Sequence, residues 1–160
     1  MKKYFYFLSL LFIITSCTED VKFNNPAFQT LKDNVFWRAQ TYKAYLTTNG
    51  NLLIEGSLGF EKITLQMVSP AQQTYVLGVD DVTKGSYSNT LPGQTASFTT
   101  GTNKGNGQII VTDYNIETNT VSGTFKFNAV NEDATDTENP KITFTEGVFY
   151  KVPVTPTLEY

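Results

Sequence analysis

The chain contains no histidine and a single cysteine, Cys17. Without histidine the commonest general base and transition-metal ligand is missing, so Ser-His-Asp and Cys-His nucleophile systems cannot be assembled within this chain. One cysteine excludes an intrachain disulfide, and the fold must be held by its core alone. Charge is also sparse. Charged residues make up 17% of the chain, against the roughly 25% usual for a globular domain. There is no cluster of lysine and arginine, the electrostatic footprint that phosphates require, so nucleic acid is excluded as a partner. No window holds a 3.6-residue apolar period over ten or more residues. The longest apolar run, Tyr4 to Ile14, is shorter than the roughly 20 residues needed to span a bilayer as a helix.

What is abundant points to β structure. Aromatics reach 14%, nearly all Phe and Tyr, and Thr, Val and Ile are frequent. These residues suit a pleated, half-buried surface. With 160 residues the chain is sized for one domain.

The first residues have a different character. Met1-Lys2-Lys3 is a positive start, Tyr4 to Ile14 is apolar apart from Ser9, and Thr15-Ser16-Cys17 follows with small residues. Positive, apolar, small is the layout of a secretory signal. Ile14-Thr15-Ser16-Cys17 resembles the lipobox of bacterial lipoproteins, with Ile where Leu is commoner. The resemblance implies cleavage before Cys17 and lipidation of its thiol, making Cys17 an anchor and not a nucleophile. Each buried methylene contributes about 0.8 kcal/mol, and two or more acyl chains give stable anchoring. Removing residues 1–16 takes away Lys2 and Lys3 and no acid, leaving 10 basic against 15 acidic residues and a net charge of −5. Thr18-Glu19-Asp20 resembles the acidic export signal of Bacteroidota surface lipoproteins. That implies an outer-membrane location facing the medium, with the periplasmic face as the alternative.

Short β-like runs then recur about every ten residues, separated by turn residues. In Val121 to Ala129, Val121, Phe125, Phe127 and Ala129 share one parity, and Ser122, Thr124, Lys126 and Asn128 the other. Such alternation places one face on a core and one in water. Gly107 to Tyr114 precedes this run across the polar loop Asn115 to Asn119. Ile63, Leu65 and Met67 alternate with Thr64 and Gln66. Asn49-Gly50 and Lys32-Asp33-Asn34 read as hairpin turns. Gln40 to Thr48 is the best helical competitor, but its Thr and Tyr favour a strand. Ile142 and Phe144 alternate with Thr143 and Thr145, Gly147 allows a bend, and Pro153 and Pro156 are expected to end the last strand.

The expected fold is therefore all-β: an antiparallel meander of about nine or ten strands, closed as a β-sandwich or a barrel. The expected organisation is a signal peptide over 1–16, a lipidated cysteine and tether over 17–26, one domain over 27–152, and a tail over 153–160.

Val35 to Ala39, Leu52 to Gly56, Tyr75 to Gly78, Gly107 to Thr112, Val121 to Phe127 and Ile142 to Phe149, in this order, resemble an uncharacterised group of Bacteroidota lipoprotein domains. The resemblance covers about residues 26–152. It implies an all-β domain at the cell envelope and brings no activity with it.

Few constellations compete as sites. Asn131 to Asn139 is rich in Asp, Glu and Asn oxygens of the kind that hold Ca²⁺, but lacks the EF-hand order and reads better as a solvated hairpin loop. Asp80-Asp81 reads as a turn, because adjacent strand residues point to opposite faces and would not act together. Trp37 beside Arg38 is the candidate for stacking a sugar ring or other ligand, weighed against Trp37 as a core anchor. Tyr42, Tyr45, Tyr75, Tyr87 and Tyr114 read as packing with wet hydroxyls. The glycine-rich Gly101 to Gly107 has no following helix and is not a phosphate loop. No catalytic residue, metal site or cofactor is expected. The expected function is a non-catalytic envelope module that binds a protein or glycan, with a lipocalin-like carrier of an apolar small molecule as the alternative.

Overall fold

A computed structural model describes residues 25–155. Cys17, the signal segment and most of the tether lie outside the described residues. The described chain is all-β, with eleven strands rather than nine or ten. They are β1 (Ala27–Lys32), β2 (Val35–Arg38), β3 (Thr41–Leu46), β4 (Leu52–Leu58), β5 (Glu61–Met67), β6 (Thr74–Leu77), β7 (Lys84–Asn89), β8 (Ala96–Thr99), β9 (Asn106–Asn115), β10 (Thr120–Asn131) and β11 (Lys141–Thr155).

Two faces oppose one another. The first is β3-β4-β5-β7-β8, and the second is β2-β1-β11-β10-β9-β6. They join at both margins, where the end of β11 meets β3 and the end of β10 meets β8. The ring of pairings is thus closed, a flattened barrel with a sandwich interior. All pairings are antiparallel except β11 with β3. Two strands depart from a simple meander: β1 lies on β11, and β6 lies on β9. The free edges are β2 and β6, each four residues long, and short edge strands limit unwanted pairing.

Local chemistry accounts for the turns. Asp33 and Asn34 both have positive φ (47° and 66°), the two-residue hairpin geometry that matches strand twist. Gly50 (φ 81°) closes the β3–β4 loop, its N–H donating to the Thr47 carbonyl at 2.9 Å. β11 is bent by bulges at Glu146 and Lys151, both at positive φ, where its register with β10 shifts. These bends let one long strand serve β1, β10 and β3.

Pro153 does not end the last strand: β11 continues to Thr155. The Val154 N–H donates to the Asn119 carbonyl beside β10 at 2.8 Å. By strand alternation the missing donor of Pro153 faces the opposite edge. There the register with β1 stops at Tyr150 and that with β3 starts at Val154, so no ladder bond is lost.

The interior is a run of touching rings. Trp37 meets Phe28 edge-on at 6.1 Å, Phe28 meets Phe125 at 5.2 Å, and Phe127 meets Phe144 at 4.7 Å. Phe144 crosses to Tyr87 of the opposite face at 5.6 Å, and Tyr87 meets Phe98 at 6.0 Å. Two rings of the second face lie on bare backbone of the first: Phe28 on Gly56 and Phe127 on Gly85. A Cβ at Gly56 would stand 2.5 Å from the Phe28 ring, so the close approach of the faces requires glycine there.

Candidate functional site

Two groups of polar side chains stand out, and they are built differently. The first is a knot at the end of the interior. Glu61 opens β5 on the same parity as the buried Ile63, Leu65 and Met67. Its Oε1 accepts hydrogen bonds from the Lys32 ammonium and the Tyr87 hydroxyl, and its Oε2 accepts one from the Trp37 indole N–H at 3.0 Å. Lys32 also donates to the Tyr87 hydroxyl at 3.3 Å and lies over its ring. Glu61 and Lys32 side chains are 21% and 25% exposed.

Burial pushes the Glu61 carboxyl up. The bonds from Lys32, Tyr87 and Trp37, with the Lys32 charge, outweigh burial and hold it below its ordinary value. Burial, and then the bond to and charge of Glu61, raise the Tyr87 phenol well above its ordinary value. Glu61 is therefore ionised and Tyr87 neutral near neutral pH. A carboxylate with three donors and a lowered pKa has no proton to give as a general acid. The knot seals the interior and leaves nothing over for a substrate.

The second group covers the outer surface of the second face. Gln29 pairs in register with Arg38 on one side and Val148 on the other. Val148 pairs with Thr124, and Lys126 with Gln108. Each of these residues sits between inward-facing neighbours, so their side chains share the solvent side. Two clefts of about 540 Å³ and 550 Å³ lie here and share Gln29. Tyr150 and Asn25 line the one beside Arg38, and Glu146 the one beside Lys126. Among the described residues the Arg38 guanidinium reaches only the Gln29 amide oxygen, at 3.4 Å. The side chains of Gln108, Thr124, Lys126 and Glu146 have no hydrogen bond or ion pair to other described residues.

Trp37 and Arg38 thus do not form a joint site. Trp37 is 3% exposed and bound into the knot, whereas Arg38 points the other way and lines a cleft. The tyrosines do not converge either. The Tyr42 hydroxyl donates to the Pro26 carbonyl at 3.0 Å, and that of Tyr75 to the Ser69 and Ala71 carbonyls at 2.8 and 2.9 Å.

The acidic stretches are spent on local structure. Asp80 accepts the N–H groups of Val82 and Thr83 at 2.8 and 2.6 Å. Asp81 accepts the Thr102 hydroxyl at 2.8 Å and its N–H at 3.2 Å, bonds that lower its pKa and tie the β6–β7 loop to the β8–β9 loop. In the β10–β11 loop Asp133 accepts the Thr135 hydroxyl and N–H, which lower its pKa. Asp136 accepts Asn131 and Asn139. Among the described residues no group of three or more acidic or cysteine side chains is arranged to hold a metal ion.

Sequence reasoning missed Glu61 and Lys32. Its available signal was parity: Glu61 extends the inward series of Ile63, Leu65 and Met67, and Lys32 follows Phe28 and Thr30.

A family model for a domain of unknown function, DUF6252, matches residues 24–153, and the chain belongs to that family. Comparison with curated proteins and with solved structures found no match.

Proposed function

We propose that this DUF6252 domain is a lipid-anchored, non-catalytic module of the cell envelope. Its binding surface is the outer side of β2-β1-β11-β10-β9. One observation carries this reading: a concave tract of polar side chains that the fold itself does not use. Among the described residues no buried side-chain polar atom lacks a hydrogen-bond partner, as natural structures require. The side chains of Gln108, Thr124, Lys126 and Glu146 have none among the described residues, although they line a cleft. Unspent donors and acceptors lining a cleft are what a ligand needs for orientation.

The anchor rests on the signal layout and the lipobox-like Ile14-Thr15-Ser16-Cys17. On this reading Cys17 carries the acyl chains, the protein is a Bacteroidota outer-membrane lipoprotein, and Glu19 and Asp20 direct it to the medium-facing leaflet. The partner is a protein or a glycan. The alternative, a carrier of an apolar small molecule, needs an empty interior. Phe28, Phe127, Phe144, Phe149, Leu52 and Ile54, all fully buried, occupy the space between the faces, which favours the surface reading.

Two measurements test the proposal. Replacing Cys17 with Ala is expected to remove the lipid mass and shift the protein from the membrane to the soluble fraction. A parent protein whose exported form has an unmodified thiol defeats the anchor. Amide hydrogen exchange on the full-length protein, with envelope glycan and protein fractions added, is expected to show new protection around Gln29, Thr124 and Lys126. Protection confined to interior strands without a change on that face favours the carrier.

A further inference from the structure

We infer that the domain pairs with a second copy of itself through the free edge of β2, which joins the two β2-bearing faces into one antiparallel sheet. The inference needs neither the lipid anchor nor a ligand on the outer face.

Register decides which backbone groups are free. The Ala39 N–H donates to the Phe28 carbonyl at 2.9 Å, and in the same register Trp37 stands opposite Thr30 and Val35 opposite Lys32. Bonded and non-bonded pairs alternate along an antiparallel ladder, so Val35, Trp37 and Ala39 turn their N–H and C=O groups to β1. Phe36 and Arg38 turn theirs the other way, where no described strand lies. This open stretch is bounded at both ends. Asn34 leaves the extended conformation at φ 66°, and the Gln40 N–H donates to the Ser57 carbonyl at 2.8 Å.

Unpaired ladder groups select an extended strand as their occupant. β2 itself is such a strand, and it is self-complementary. Laid antiparallel about a twofold axis at Trp37, Phe36 of each copy comes opposite Arg38 of the other. Every free N–H and C=O of both residues is then bonded in both copies. A register centred on Phe36 would set Arg38 against the turn residue Asn34. One centred on Arg38 would set Phe36 against the committed Gln40. Both forfeit rungs.

The side chains agree with the backbone. Trp37 is buried and points inward, so Phe36 and Arg38 stand together on the outer side. Phe36 is 63% exposed, and among the described residues Arg38 has only its long bond to Gln29. The pairing sets a guanidinium across from a phenyl ring twice, within the roughly 6 Å over which cation and ring attract. On the inner side it brings the exposed Val35 opposite Ala39. The other free edge is less suited. The Val111 N–H donates to the Gln73 carbonyl, so by the same alternation β6 leaves Thr74 and Val76 open, with neither ring nor charge. β2 also lacks the proline, lysine or bulge that protects an edge. Its shortness confines pairing to one register, and a twofold contact closes as a dimer.

The test is sedimentation of the full-length protein in detergent over a range of concentrations, with a reversible monomer–dimer equilibrium as the expected result. Phe36→Pro removes a free N–H and leaves the β1 ladder intact, since proline is tolerated on an edge facing solvent. It should weaken the dimer about tenfold or more. Phe36→Ala and Arg38→Ala should each weaken it about fivefold, whereas Phe36→Tyr should not. Disulfide formation reads the register. Opposed Cα atoms of a bonded pair stand about 5.5 Å apart, within disulfide reach. A mixture of Phe36→Cys with Arg38→Cys should therefore crosslink under mild oxidation, and neither variant alone should exceed the parent, which retains Cys17. A monomer at every concentration, a dimer unchanged in both Phe36→Pro and Arg38→Ala, or a mixture that crosslinks no more than the parent overturns the inference. Growth beyond a dimer that is lost in Val76→Pro assigns the contact to β2 with β6 and overturns the twofold pairing.

Discussion

The Glu61 knot and the outer face of β2-β1-β11-β10-β9 draw on the same kinds of side chain: a carboxylate, cations, a tyrosine. In the knot each group is matched to another within the domain. On the face Lys126 and Glu146 line one cleft without bonding to each other or to anything else described. The difference teaches how to read polar residues in a β protein without histidine. A perturbed pKa marks the knot, yet the perturbation comes from burial and from bonds within the domain, the condition of a structural group. The face whose side chains have no partner among the described residues has the free valence. Perturbed titration is a probabilistic guide to function, since structural ion pairs produce it too, and here the hydrogen-bond inventory separates the two cases.

The sharpest test of that separation is removal of the carboxylate. Glu61→Ala strands the Lys32 ammonium, the Tyr87 hydroxyl and the Trp37 indole N–H in a site from which water is largely excluded. Breaking a buried pair on one side costs about 3–5 kcal/mol, and the remaining exposure of Glu61 and Lys32 reduces this to roughly 2–3 kcal/mol. Chemical unfolding checks it conveniently, because Trp37 is the only tryptophan in the chain and its indole bonds to the altered carboxylate. The midpoint should fall with the slope unchanged. If Glu61→Ala were as stable as the parent, the knot would not be structural and the contrast would fail.

The fold class was legible because alternation is strict where one face is buried. Val121 to Ala129 became the upper part of β10, and the hairpins at Asp33-Asn34 and Asn49-Gly50 formed where the turn residues place them. The count fell short because β8 is Ala96-Ser97-Phe98-Thr99, with a single large apolar residue, and β7 has only Tyr87. Neither segment has enough apolar periodicity to register. The crossing of β1 onto β11 and of β6 onto β9 depends on pairings thirty or more residues apart in sequence, which local pattern does not encode. The candidate face was half legible. The outward parity of Thr124 and Lys126 was readable, but their company with Gln29 and Arg38 needed the register. Trp37 and Arg38 were a plausible pair by adjacency, and adjacency is what separates them, since neighbours on a strand face opposite ways.

A smaller effect comes from pH, and the knot contributes to both of its limbs. Glu61 has a folded pKa below its ordinary value of 4.5. Its contribution to stability is therefore complete above that value and is lost as pH falls through the folded pKa. Tyr87 has a folded pKa above its ordinary value of 10.0. The folded state keeps the phenol neutral while the unfolded chain ionises, so stability declines as pH rises beyond that value. Unfolding free energies measured across both limbs should flatten at the acid end in Glu61→Gln and at the alkaline end in Tyr87→Phe. An acid limb unchanged in Glu61→Gln would assign the titration to other carboxylates.

The smallest expected effect is the most diagnostic for function. Arg38 and Lys126 are exposed, the first bonded only weakly to Gln29 and the second to nothing described. Solvated side chains without partners contribute little to stability, so Arg38→Ala and Lys126→Ala should each shift unfolding free energy by no more than about 0.5 kcal/mol. The double variant should be additive, because no shared bond couples them. A loss near 2 kcal/mol in either would mean that the fold uses these groups after all, and the face would join the knot as structure. A null result on stability, combined with lost binding, would show polar surface held in reserve for a ligand. Only that combination distinguishes a recognition face from an ordinary wet side of a sheet.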